Sequence, residues 1–216
     1  VTAAVAELHD RDWLEAHCPP SGVRIEDVTL RDGVLVLAGP RARDILSKLT
    51  RADLSNRAFP WLTAREIEVA NVPVRALRCN YVGELGWELH HAFVHQARLY
   101  DALVEAGRDH QLAHFGTRAM NSLRLEKAYR AWGTDLTLEV DPIEAGLDRL
   151  VKLDGRDFIG QKALEDAKRA GHKWRLAILS VDAADSDAPT NAPVFANGSY
   201  AGIVASGGYG HTVKTS

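Results

Sequence analysis

The chain has 216 residues, 46% of them hydrophobic and 25% charged, which suits a globular protein of one large domain or two small ones. A formal net charge of −3 excludes the basic footprint that nucleic acid or an anionic membrane would need. No apolar run approaches the roughly 20 residues of a membrane span, and the opening Val-Thr-Ala-Ala-Val-Ala lacks the basic segment of a secretory leader. The expected compartment is the cytoplasm, and the start without Met reads as a piece of a longer protein.

In chain order, residues 1–6 read as the end of a strand, and Asp10 to His17 as a short helix stopped by Pro19-Pro20. Arg24 to Leu30 and Val34 to Ala38 read as a β-hairpin turning at Arg31-Asp32-Gly33. Gly39-Pro40 then opens a helix with Ile45, Leu46 and Leu49 as its buried stripe. Arg65 to Ala70 and Val72 to Cys79 form a second strand pair around Asn71, and a helix from Val94 to Glu105 is closed by Gly107. This order points to an α+β fold, mainly antiparallel sheets with flanking helices, ferredoxin-like in layout.

The longest helix signal runs from Thr117 to Arg130, with Ala119, Leu123 and Tyr129 facing inward and Arg124, Glu126 and Lys127 as its charges. Asp141 to Leu147 is a loop entering a helical turn, and Gln161 to Ala170 is a further helix. After Gly171 the character turns to β. Trp174 to Val181 is strand-like, and Asn197-Gly198 is a strong hairpin dipeptide. Two domains are expected, 1–170 and an incomplete β-barrel beginning at 171–216.

Cys18 and Cys79 lie far apart without metal-type spacing and read as free thiols. Of the nine histidines, His90 and His91 are adjacent and would face opposite sides of a strand, while His91 and His95 lack a clear third ligand. No metal site is expected. No Ser-His-Asp or Cys-His arrangement stands out, and Gly207-Gly208-x-Gly210 lacks the Lys and helix of a phosphate loop. Glu84, Glu88, Glu126, Glu139 and Glu144 are scattered carboxylates among which spacing alone selects no general acid or base.

One stretch carries more information. Tyr81-Val-Gly-Glu-Leu-Gly-Trp-Glu88 packs two glycines, two aromatics and two carboxylates into a bend after a strand. Tyr81 and Glu88 are placed to face one pocket. A carboxylate beside an apolar wall suits a flat heterocycle whose ring N–H groups it can accept. The bland alternative is a glycine turn with its aromatics in the core.

That stretch, with Ser122-Leu-Arg-Leu-Glu-Lys127, Pro142-Ile-Glu-Ala-Gly-Leu147 and Asp157-Phe-Ile-Gly160, resembles in order and spacing the folate-binding aminomethyltransferase family. The family includes the T-protein of the glycine cleavage system. Leu125-Glu-Lys-Ala-Tyr-Arg-Ala-Trp-Gly133 and Gly207-Gly-Tyr-Gly-His211 are closer to the C-terminal module of dimethylglycine and sarcosine dehydrogenases, where a flavin domain comes first.

The resemblance implies that Tyr81 and Glu88 contact folate, and that Tyr129 is a further pocket aromatic. The family's catalytic aspartate is expected upstream of Val1. Met120 stands where the T-protein has an arginine, which favours the dehydrogenase branch. The implied activity is one-carbon transfer to tetrahydrofolate, forming 5,10-methylenetetrahydrofolate from the iminium of an N-methyl amine, with FAD in an upstream domain. Alternatives are a stand-alone aminomethyltransferase and a non-catalytic folate-binding regulatory protein. A module lacking its upstream part is expected to bind folate weakly and to self-associate.

Overall fold

A computed structural model describes residues 2–183 and 185–216. The chain divides into two compact units, Val1–Phe115 and Gly116–Ser216.

In the first unit, α1 (Glu7–Ala16) follows a short 3-10 turn, Ala4–Ala6, rather than the strand end expected for residues 1–6. Four strands follow: β1 (Asp32–Ala38), β2 (Ala64–Val69), β3 (Val72–Leu77) and β4 (Gly86–Ala92). They form one fully antiparallel sheet in the order β1-β4-β3-β2. Helices α2 (Ala42–Ser47) and α3 (Gln96–Gly107) supply the rest of the core.

The core follows from two periodicities. Every second strand residue points inward, so Val72, Val74 and Ala76 of β3 and Trp87 and Leu89 of β4 are buried. Ala42, Ile45 and Leu46 of α2 and Leu99 and Leu103 of α3 recur at helical spacing and pack on that face. Trp87 is the largest buried side chain, with Phe59 edge-on at 6.1 Å and the guanidinium groups of Arg43 and Arg78 over its ring at 5.9 and 5.8 Å.

The hairpin around Asn71 forms as expected. Ala70 and Asn71 both take left-handed angles, φ 52° and 58°, the combination of a two-residue turn matched to strand twist. The hairpin expected over residues 24–38 does not form. Asp27 Oδ1 accepts from the Thr29 N–H at 2.9 Å, and the Arg31 N–H donates to the Val28 carbonyl. These local turns use the backbone that a strand would have paired. β1 pairs instead with β4, far along the chain, over seven residues. Gly107 does end α3, but not through a left-handed cap. The Leu112 side chain lies 2.5 Å from where a Cβ on Gly107 would stand.

In the second unit, α4 (Thr117–Glu126) stops four residues short of the expected Arg130. Ala128 turns left-handed at φ 62°, and the N–H groups of Ala128 and Tyr129 fold back onto Leu125 and Arg124. Ala119, expected inward, is exposed, and the buried residue of α4 is Arg124. α5 (Gln161–Ala170) has the expected bounds. Trp174 to Val181 forms no strand, and its backbone bonds go singly to Glu144 and Ser216. Beyond residue 170 the described residues hold one two-stranded hairpin, β5 (Pro193–Ala196) and β6 (Ser199–Ile203), turning at Asn197-Gly198. The fold is α+β, antiparallel sheet with flanking helices.

Candidate functional site

The bend expected at Tyr81 to Glu88 is shorter than its motif. Residues 81–85 make the turn, while Glu88 already lies on β4. Asn80 shapes the turn, its Oδ1 accepting from the Val82 N–H at 2.9 Å and its Nδ2 donating to the Glu84 carbonyl at 2.7 Å. Gly83 takes φ 69°, and a Cβ on Gly86 would stand 2.6 Å from the Leu37 carbonyl oxygen. Sequence reading missed Asn80, although an Asn ahead of a glycine turn is a signal of that role. Tyr81 is 36% exposed while its neighbour Val82 is buried.

Strand alternation fixes the next residues. Trp87, Leu89 and His91 face the core, and Glu88 and His90 face the other side of the sheet. His90 and His91 therefore point apart. His91 is buried, with Nδ1 2.8 Å from the Leu89 carbonyl and Nε2 2.7 Å from Gln96 Oε1. Glu88 and His90 form a half-buried pair, Oε2 to Nε2 at 3.2 Å. Glu88 stands opposite Val36 of β1 and Leu77 of β3, so apolar side chains flank its carboxylate. Cys79 belongs to the same surroundings. Burial pushes its thiol above the ordinary range, and the Glu88 charge adds to the effect. Both cysteines are free.

Tyr129 belongs to the second unit. With Leu125, Ile178, Phe195 and Ile203 it lines a cavity of about 730 Å³. The floor of that cavity carries a group that sequence reading treated as a surface charge. Arg124, 2% exposed, donates to Asp135 Oδ2 at 2.6 Å, the Tyr129 carbonyl at 3.0 Å, Ser206 Oγ at 2.8 Å and Asn121 Oδ1 at 2.8 Å. Ser206 Oγ donates in turn to Asp135 Oδ1 at 2.7 Å, and the Ala131 N–H donates to Asp135 Oδ2. One buried ion pair thus ties α4, residues 129–135 and the segment after β6, holding the backbone that carries Tyr129. Met120 sits half-buried on α4. Arg130 donates to the carbonyls of Ala128, Ala145 and Gly146.

In the Pro142 to Leu147 motif, the ordering group is Asp141. Burial pushes its carboxyl up, but N–H donors of Glu144 and Ile143, with His172 at 3.0 Å, outweigh burial and hold it below its ordinary value. Among the described residues no group of three metal-ligating side chains converges, and no helix is long and apolar enough to cross a membrane.

These motifs have relatives. The GCVT N-terminal domain family matches residues 1–155. The chain belongs to that family. Among similar proteins, human mitochondrial dimethylglycine dehydrogenase is 43% identical over 219 residues, covering 100% of this chain and 25% of its own length. Mouse mitochondrial sarcosine dehydrogenase is 41% identical over 185 residues, covering 84% of this chain and 20% of its own. An aminomethyltransferase of Geobacillus thermodenitrificans (strain NG80-2) is 35% identical over 216 residues, covering 99% of this chain and 58% of its own. The chain thus spans about a quarter of the length of the dehydrogenases it resembles.

Proposed function

We propose that this chain is the tetrahydrofolate-binding, one-carbon-transfer module of a dimethylglycine or sarcosine dehydrogenase-like enzyme. The carrying observation is Glu88, a half-buried carboxylate that closes the Tyr81 to Glu88 stretch within the family match over residues 1–155. Among the described residues, His90 on Oε2 is its one hydrogen-bond partner, which leaves Oε1 as an acceptor beside Val36 and Leu77. That combination fits a flat heterocycle bearing ring N–H donors.

When bound, tetrahydrofolate would supply the nucleophilic nitrogen that takes up a one-carbon unit. The chain's residues orient it. Glu88 accepts from the pterin edge, and Tyr81 lies against the ring. A fixed carboxylate also favours positive charge developing nearby, and orientation removes much of the entropic barrier. The family's catalytic aspartate, an FAD domain and the N-methyl amine substrate complete the proposal. The module takes in residues 1–170, and the residues after it carry the β5–β6 hairpin. Two free thiols suit a reducing compartment, the cytoplasm in the simplest case, though the animal dehydrogenases are named mitochondrial.

Replacing Glu88 by Gln in the intact protein tests the reading. Hydrogen bonds to a charged group are worth roughly 1.5–3 kcal/mol, so tetrahydrofolate affinity should fall about tenfold to a hundredfold. Unchanged affinity by calorimetry would remove Glu88 from the site.

A further inference from the structure

We propose that His90 is a positioning residue for Glu88, holding one carboxylate oxygen so that the other meets the ligand. The inference rests on the folate reading of Glu88 and extends it to a residue outside the motif. Two residues apart on β4, the side chains share the outer face of the sheet, Nε2 3.2 Å from Oε2. A carboxylate only accepts, so the imidazole carries its proton on Nε2 and donates.

The neighbours make this contact matter. Val36 and Leu77 flank Glu88, and Val34 lies opposite His90 on β1. None of them offers a side-chain hydrogen bond, and among the described residues the side chain that bonds the carboxylate is His90. Arg75, the cation opposite His90 on β3, is turned to Glu66 on β2 at 2.7 Å. Asp32 on β1 lies 3.6 Å from Arg31. The Cys79 thiol, which feels the Glu88 charge, is a weak donor at best. A ligand meeting an unrestrained glutamate must order it on binding, whereas a carboxylate already held spares that cost.

The experiment is a set of tetrahydrofolate titrations on the intact protein. His90→Leu removes the donor and should weaken binding about tenfold, while His90→Gln, which keeps an N–H, should restore it to within about threefold. In a Glu88→Gln background His90→Leu should have almost no further effect, because the group it positioned is gone. Equal losses in the Leu and Gln variants, or a His90→Leu loss that persists in full on Glu88→Gln, would overturn the proposal, as would unchanged binding in His90→Leu. Should Glu88→Gln itself bind normally, the folate reading of Glu88 fails, and this inference with it. Circular dichroism on each variant separates misfolding from lost positioning.

Discussion

Arg124 shows how much depends on one charge. Its guanidinium and the Asp135 carboxylate are both out of water, their side chains 3% and 6% exposed. Such a pair gains little over an apolar replacement of both partners, but breaking it strands a charge. Arg124→Met should therefore cost about 3–5 kcal/mol in chemical unfolding, and the double variant Arg124→Met/Asp135→Leu clearly less. Asp141 carries a different signature. Its folded-state carboxyl lies below the ordinary value of 3.8, so its contribution is complete above that pH and disappears as pH falls through the folded value. Asp141→Asn keeps the oxygen that accepts from Ile143 and Glu144 but loses the charge. Its unfolding midpoint should fall below wild type near neutral pH, and the gap should narrow as pH falls below 3.8 and through the folded value.

At the scale of elements, the β2–β3 hairpin contains a conflict. Its turn needs two left-handed residues, and Ala70 is a poor one at φ 52°, whereas Asn71 tolerates the angle well. The Ala70 N–H donates to the Leu49 carbonyl and its carbonyl accepts from Arg98, both backbone groups that a glycine retains. Ala70→Gly should relieve the strain at some entropic cost in the unfolded chain, for a net gain of roughly 0.5–1 kcal/mol. A higher urea midpoint at unchanged slope is the expected result, and a lower midpoint would count against the strain.

For the whole molecule, the two edges of the four-stranded sheet differ. β2 carries Arg65, Glu66 and Glu68, charges that discourage a second chain from pairing. β1 presents Val34 and Val36, 40% and 49% exposed, along the other edge. The isolated 216-residue chain should self-associate through β1, and Val34→Lys should lower its light scattering. Scattering unchanged by that substitution would place the contact elsewhere.

Several features were legible in the residues themselves because their causes are local. The Asn71 and Asn197-Gly198 turns, α5 and the stripe of α2 come from angle preferences and from spacing within a few residues. The family was legible as well, through four short motifs in register. What escaped depended on distant partners. Arg24 to Leu30 has strand-like character yet loses the contest for β1 to Gly86–Ala92, a choice no window of ten residues contains. Arg124 looked like a solvated charge because Asp135 and Ser206, the groups that permit its burial, lie 11 and 82 positions away. Glu88 was singled out through its motif, but its bond to His90 and its apolar flanks depend on β4 being a strand between β1 and β3. Residue chemistry and turn geometry were thus written in the sequence. Strand partners, and with them which polar groups become buried or face one another, were decided by the tertiary structure, because a sheet is assembled from segments far apart in the chain.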